Sequence, residues 1–458
     1  MRPPPAAGSL TEGNIVRPLL RLALPFALSN LLGLLTLVVD RLWVGRVGTE
    51  AMAALGTANA ALMILMTSAM GMAVGTLAGV ARAIGGGDVE RAGRFFRQGM
   101  LLGWAVGLLF CLGAIALPGP IIEFVRPGTQ PGGPAEAYLR ISMAGLLFYT
   151  PLLSLIFGLQ GAGEARAAMR LAAIAPVLNA VLDPLFIFGF DLGLPGAAWA
   201  TVIATAVAFG MALRTTGTRS RLQLKRVGPP WQPDGTILKQ IAAVGFPGTL
   251  EHVVRTVAGF ALVKLLAGFG DEVLSAYTTA MMLLAMLIFP GLALGQATAS
   301  LVGQNLGAHR PDRAWRTAWT ATGLYVAFMA VLGGVLFVVA GPLIGAFDPN
   351  PKVVAEGVRL LHTVVLCFPL LAVAFILSRA FAGSGNTLPA MLVAAVAHLA
   401  FQLPVVHALG EAWGPAGAYW GMAAAFMVQG LLAAAVFALK LHPSRFQPAN
   451  KLPLKTAT

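Results

Sequence analysis

Charge is what this 458-residue sequence has least of: Asp, Glu, Lys and Arg together make up 11% of it, against about 25% in a soluble chain. Beside a 57% share of hydrophobic residues, that shortage excludes an ordinary soluble globule. Only two cysteines occur, Cys111 and Cys367, far apart and each inside an apolar run. A disulfide scaffold is therefore excluded, and both read as small buried hydrophobes. There is no long basic run or basic-aromatic patch, so the net charge of +13 does not speak for nucleic acid. No His/Glu metal motif or nucleophile motif lies within an apolar stretch, which leaves an intramembrane enzyme without support. The polar, Pro-rich opening "MRPPPAAGSLTEGN" leads into a long apolar stretch, and no cleaved signal peptide is expected.

What is present is apolar sequence in lengths that cross a bilayer, which takes about 20 residues per helix. Breaks at Gly, Pro and charge clusters predict helices over 15–47, 52–83, 93–116, 134–160, 165–190, 194–213, 236–267, 272–303, 314–340, 352–382, 386–409 and 414–440. The expected class is all-α integral membrane, with twelve transmembrane helices. Basic residues concentrate in alternate loops: Arg82, Arg91, Arg94 and Arg97; Arg166 and Arg170; the stretch from Arg214 to Lys239; Arg310, Arg313 and Arg316; Arg379; and Lys440 onward. The opposite side holds few, Arg46, Arg126, Arg140, Lys352 and Arg359. By the retention of basic residues inside, both termini are expected in the cytoplasm and the protein in the cytoplasmic membrane.

The sequence repeats itself. "LALPFALSNLL" (22–32) resembles "AVGFPGTLEHVV" (243–254), so that Pro25 pairs with Pro247 and Glu50 with Glu272. Further on, "QGAGEA" answers "AFAGSGNT", and "LPGAAWAT" answers "GPAGAYWG". Six helices repeated in the same orientation imply two lobes related by a pseudo-two-fold axis along the membrane normal, with a substrate cleft between them. The predicted divisions are an N-terminal tail (1–14), an N lobe (15–213), a linker (214–235), a C lobe (236–440) and a C-terminal tail (441–458).

A residue needed only to build a lobe should recur in both halves. Asp40 falls opposite Leu262, and "NAVLDPLFIFG" around Asp183 falls opposite "AHLAFQLPVVH", which has no acid. Carboxylates within spans are costly and functional by default. Asn179 and Asp183 share one helix face by their i, i+4 spacing, and a tight turn at "DLGLPG" brings Thr201 of the next helix to their level. Asp40 and Asp183 each lie about seven residues, on the order of 10 Å, from the outer helix end. Tyr138 enters the fourth helix from outside and could cap this cluster, while Pro184 frees the carbonyl of Ala180. Such an all-oxygen set suits a hard cation such as Na⁺; two acids brought together equally suit a proton. The plainer alternatives are pairing of Asp40 with Arg41 or Arg46, a solvated helix end at Asp183, and a back-bonding hydroxyl at Thr201.

In the second half, Glu251 and Arg255 have the spacing of an intrahelical ion pair, structural or gating. Asn30, Met63, Met66, Met281 and Met282 are candidate pocket residues, since soft Met surfaces adapt to varied ligands. Pro25 is a candidate hinge of the first helix.

Together the double repeat, the opening "LALPFALSNLLGLLTLVVDRLWVGRVG", the "GAGEAR" and "AGSGNT" turns and "NAVLDPLFIFG" resemble the multidrug and toxic compound extrusion (MATE) transporters over essentially the whole chain. The set Asp40, Asn179, Asp183 and Thr201 looks like the N-lobe cation site of the DinF-like branch. The NorM-like branch has acids on helices 7 and 10, and here helix 10 has none. The resemblance implies a monomeric antiporter, with no cofactor, that exports small amphipathic, often cationic, organic compounds against Na⁺ or H⁺. A lipid or lipid-linked oligosaccharide flippase of the same superfamily is the alternative, and a receptor or uncoupled channel is disfavoured by the repeat.

Overall fold

The computed structural model describes residues 8–125, 132–218, 222 and 232–443. Arg126, most of the linker 214–235, and the tails before 8 and after 443 lie outside the described residues, and with them the basic residues assigned there. Among the described residues, twelve membrane-type helices are arranged in two lobes. In the N lobe α1 is Val16–Gly45, α2 Thr49–Gly85, α3 Val89–Ala116, α4 Pro134–Gly161, α5 Ala165–Pro184 and α6 Gly193–Thr218. In the C lobe α7 is Gly235–Ala267, α8 Asp271–Gly307, α9 Pro311–Gly345, α10 Pro351–Val365 with Phe368–Ser384, and α11 begins as Leu388–Ala395. The last stretch, Leu403–Leu441, continues α11 up to Gly414, whose φ of 65° and ψ of −151° break the helix; α12 follows from 415. No strand occurs among the described residues.

Local chemistry explains the ends. Asp88, Asp234 and Asn350 cap α3, α7 and α10 by accepting from Arg91 N, from Thr236 N and Ile237 N, and from Lys352 N. The predicted single helix 352–382 is corrected: its two parts meet at 60° around Leu366–Cys367. Pro369 has no N–H for the Val365 carbonyl and disfavours helical backbone at Phe368. Two short helices, Gly8–Thr11 and Pro118–Val125, were not expected. By composition alone α7 would not pass as a span, because Glu251, Arg255 and Lys264 lie along it. Nine described helices, counting Leu388–Leu441 once, are long and apolar enough, and the bent α10 pair makes another.

The two lobes are copies in detail. Left-handed backbone recurs at Gly48 and Gly270, at Gly87 and His309, and at Gly163 and Gly385. Their contact is reciprocal: a Cβ on Gly85 of α2 would strike the carbonyl of Gln304, and a Cβ on Gly307 of α8 would strike that of Arg82. Small residues of this kind let membrane helices touch backbone to backbone. Both contacts lie at the C-terminal ends of parallel helices, so the axis relating the lobes runs along the membrane normal.

The seam between the lobes is closed on the basic face. Gly75 of α2 abuts the Ile241 carbonyl of α7, and Ser300 Oγ and Gln304 Nε2 of α8 donate to Gln160 O and Gly161 O at 2.8 and 2.9 Å. One apolar cluster there spans both lobes, including Leu19, Phe26, Leu77, Ile241 and Leu301. The half of the N lobe away from the basic face packs as a separate cluster around Val44, Leu55, Leu139 and Ile187. The N-terminal segment straps the closure: Arg310 donates to Thr11 O and Glu12 Oε1, and Arg313 to Gly13 O and Glu12 O.

Candidate functional site

Asn179 and Asp183 stand one turn apart on α5, buried at 2% and 0% exposure. Asn179 Nδ2 donates to Asp183 Oδ1 at 2.9 Å and to Thr201 Oγ1 of α6 at 3.1 Å. Thr201 in turn donates to Ala197 O at 3.0 Å, so it is a back-bonding hydroxyl and a member of the cluster at once. After Pro184 the helix widens into a π-turn, Leu185–Gly189, closed by Phe190 N to Leu185 O at 2.9 Å. Proline withholds the donor that the Ala180 carbonyl would receive, and a wider turn is one way a helix absorbs that loss.

Asp40 of α1 completes the cluster. Its carboxyl group lies within hydrogen-bonding reach of Asp183, and the buried phenol of Tyr138 on α4 is within electrostatic range of both acids. No ion pair joins Asp40 to Arg41 or Arg46 among the described residues; Arg46 stacks over Trp43 at 4.6 Å instead. Nor is Asp183 a solvated helix end, being fully buried. Three oxygens of the cluster, Asp40 Oδ1, Asn179 Oδ1 and Asp183 Oδ2, have no donor among the described residues. Buried polar atoms are rarely left so. Oxygens in this state are what a hard cation or a shared proton satisfies.

The remaining predicted residues are dispersed. α1 runs unbroken through Pro25, whose carbonyl accepts from Ser29 Oγ at 3.0 Å. Asn30 is half-buried with Nδ2 unpartnered. Met63 and Met282 are exposed, Met66 and Met281 half-buried. A cavity of about 620 Å³ lies elsewhere, at the basic end of the seam, bordered by Arg82, Arg91, Gln240 and His309. It is a vestibule below the closure, and neither Asp40 nor Asp183 borders it.

Glu251 and Arg255 form the expected ion pair at 3.0 Å. Sequence reasoning missed their company. Ser378 Oγ of α10 donates to the same carboxylate, and Arg379, expected in a basic loop, lies within α10, half-buried, with its guanidinium over the ring of Phe375 at 5.6 Å. His398 and Gln402 of α11 form a buried pair at 2.8 Å.

The MatE family model matches residues 25–185 and again residues 247–406. The chain belongs to the MatE family. The two matches cover corresponding stretches of the two lobes, and MatE proteins are transporters, not enzymes. "Probable multidrug resistance protein YpnP" of Bacillus subtilis is 26% identical over 92% of this chain and 94% of its own. A protein of Shewanella oneidensis named "FAD transporter" is 26% identical over 75% of this chain and 77% of its own. Among solved structures, "Outward-facing conformation of a multidrug resistance MATE family transporter of the MOP superfamily" has a TM-score of 0.88 at 22% identity, covering 98% of this chain and 100% of that one. The protein is thus a multi-pass membrane transporter of MATE architecture.

Proposed function

We propose that this MATE transporter is a cation-coupled antiporter that exports amphipathic organic compounds, with Asp40, Asn179, Asp183 and Thr201 as the coupling site for Na⁺ or H⁺. The observation that carries this reading is the cluster of three unpartnered oxygens around the fully buried Asp183 and the half-buried Asp40 in one lobe alone. A cation shifts an equilibrium between inward- and outward-open forms only by its differential affinity for them. A site on α1, α5 and α6 can supply that difference if α1 bends at Pro25 when the acids discharge. The names of the relatives support export of small organic molecules. We place both termini on the basic, cytoplasmic face of the inner membrane and take the monomer as the working unit.

The test is efflux of a fluorescent dye from proteoliposomes under a Na⁺ gradient or a pH gradient imposed separately. Efflux driven by one gradient and lost in Asp183→Asn supports the reading and names the ion. Efflux that ignores both gradients, or persists unchanged in Asp183→Asn, overturns it.

A further inference from the structure

The N-terminal strap sits in a berth, and the pseudo-two-fold relation between the lobes repeats that berth across the seam. Three residues seat the strap. Gly163, in the turn between α4 and α5, faces Leu10, whose Cδ1 would lie 2.7 Å from a Cβ there. Arg310, at the start of α9, donates to Thr11 O at 2.7 Å and to Glu12 Oε1 at 3.2 Å. Arg313, one turn further on, donates to Gly13 O at 2.7 Å and to Glu12 O at 2.9 Å. The berth thus takes an apolar side chain, a carboxylate and a run of carbonyl acceptors.

At the repeat offset that pairs Pro25 with Pro247, these three residues answer to Gly385, Asp88 and Arg91. All three border the cavity of about 620 Å³. The correspondence holds in the backbone too: Gly163 and Gly385 are left-handed, with φ of 76° and 79°, and Asp88 stands at the N-cap of α3 as Arg310 does at that of α9. The chain that enters α7 is held instead by Gln98 of α3, which donates to Gln232 O at 2.9 Å and accepts from Asp234 N at 3.1 Å.

The cavity wall offers similar chemistry. Two guanidinium groups, Arg82 and Arg91, stand beside one carboxylate, Asp88, whose Oδ1 accepts from Arg91 N at 2.8 Å. Arg91 lies over the ring of Phe95 at 5.8 Å, and Arg82 Nη1 reaches Ser384 O only at 3.5 Å. Each guanidinium has five N–H donors, so most remain for a ligand. Phe95 and Val244 add apolar wall. The volume is that of a small-molecule site.

We propose that this cavity is a binding site on the basic face for an amphipathic anion, a carboxylate or phosphate on an apolar body, seated in the second berth as the strap is in the first. Guanidinium groups pair such anions two bonds at a time. Arg82 and Arg91 belong to the N lobe, Gln240, His309 and Gly385 to the C lobe, so the occupant touches both. It binds the form closed on the basic face and by that preference opposes opening. The site is a brake, separate from the coupling acids.

The test is calorimetric titration of the full-length protein in phosphatidylcholine nanodiscs with indole-3-acetate and indole-3-acetamide, which share a ring and differ in the carboxylate. The acid is expected to bind about tenfold more tightly than the amide. Arg91→Gln should weaken the acid about tenfold and the amide less than about twofold, and Arg91→Lys should restore part of the difference. The acid should also slow alkylation of a cysteine placed at Ala81, about threefold or more, and not in Arg91→Gln. With phosphatidylglycerol in the nanodisc, loss of the acid's binding identifies a lipid headgroup as the occupant, and unchanged binding a soluble one. Equal affinity for acid and amide, no binding of the acid to phosphatidylcholine nanodiscs, equal losses in Arg91→Gln, or an alkylation rate that the acid leaves unchanged would each overturn the proposal. Neither readout uses a gradient or dye export, so the outcome is separate from that of the coupled-efflux test.

Discussion

The carboxyl groups of Asp40 on α1 and Asp183 on α5 lie within hydrogen-bonding reach of one another inside the N lobe. Two carboxyl groups bond only if one keeps a proton, so the pair is a single chemical unit. Asp40→Asn and Asp183→Asn are each expected to cut gradient-driven dye efflux by about tenfold or more, and the double variant to be little worse than either, since residues acting as a unit are not additive. Initial rates from proteoliposomes of equal protein content check this.

Asn179 ties the site together by donating to both Asp183 and Thr201. Asn179→Ala strips a donor from two acceptors, one of them fully buried, and should cost about 1–3 kcal/mol of stability. A lowered Tm of the detergent-solubilised protein is the expected result. Thr201→Val should cost less, because Asn179 still serves Asp183.

The contact between Gly85 and the Gln304 carbonyl leaves no room for a Cβ. Backbone cannot rotate away as a side chain can, so Gly85→Ala and Gly307→Ala should disfavour the form closed on the basic face. We expect faster alkylation of a cysteine placed at Ala81, and slower efflux, at unchanged expression.

Arg310 and Arg313 hold the segment Thr11–Gly13 through its carbonyls and Glu12. The Arg310–Glu12 pair is largely exposed and contributes little by itself. Replacing both arginines with Ala should raise amide exchange of the segment after Thr11 about tenfold or more, and high salt should not reproduce the full effect. Exchange mass spectrometry reads both.

Most helices were legible because Gly, Pro and charge interrupt apolar runs at nearly the right places. The bend at Leu366–Cys367 was not, since Pro369 sits inside an unbroken apolar run where a proline can equally ride a helix. The N-lobe site was legible through one spacing, Asn179 to Asp183, and one tight turn that set Thr201 at their depth. Its counterpart was hidden by register. Aligning the repeats one residue differently sets His398 opposite Asn179 and Gln402 opposite Asp183. The π-turns Leu185–Gly189 and Val396–Gln402 differ in length and position, and each shifts the side-chain phase that a helical alignment assumes. Arg379 was misplaced for another reason: counting loop charges assigns every arginine near a helix end to water.

Because Gly85 rests on residue 304 and Gly307 on residue 82, the closure on the basic face is one contact used twice about an axis. Moving the lobes straight apart along this seam has to break both, so the two glycines act as the two halves of one latch.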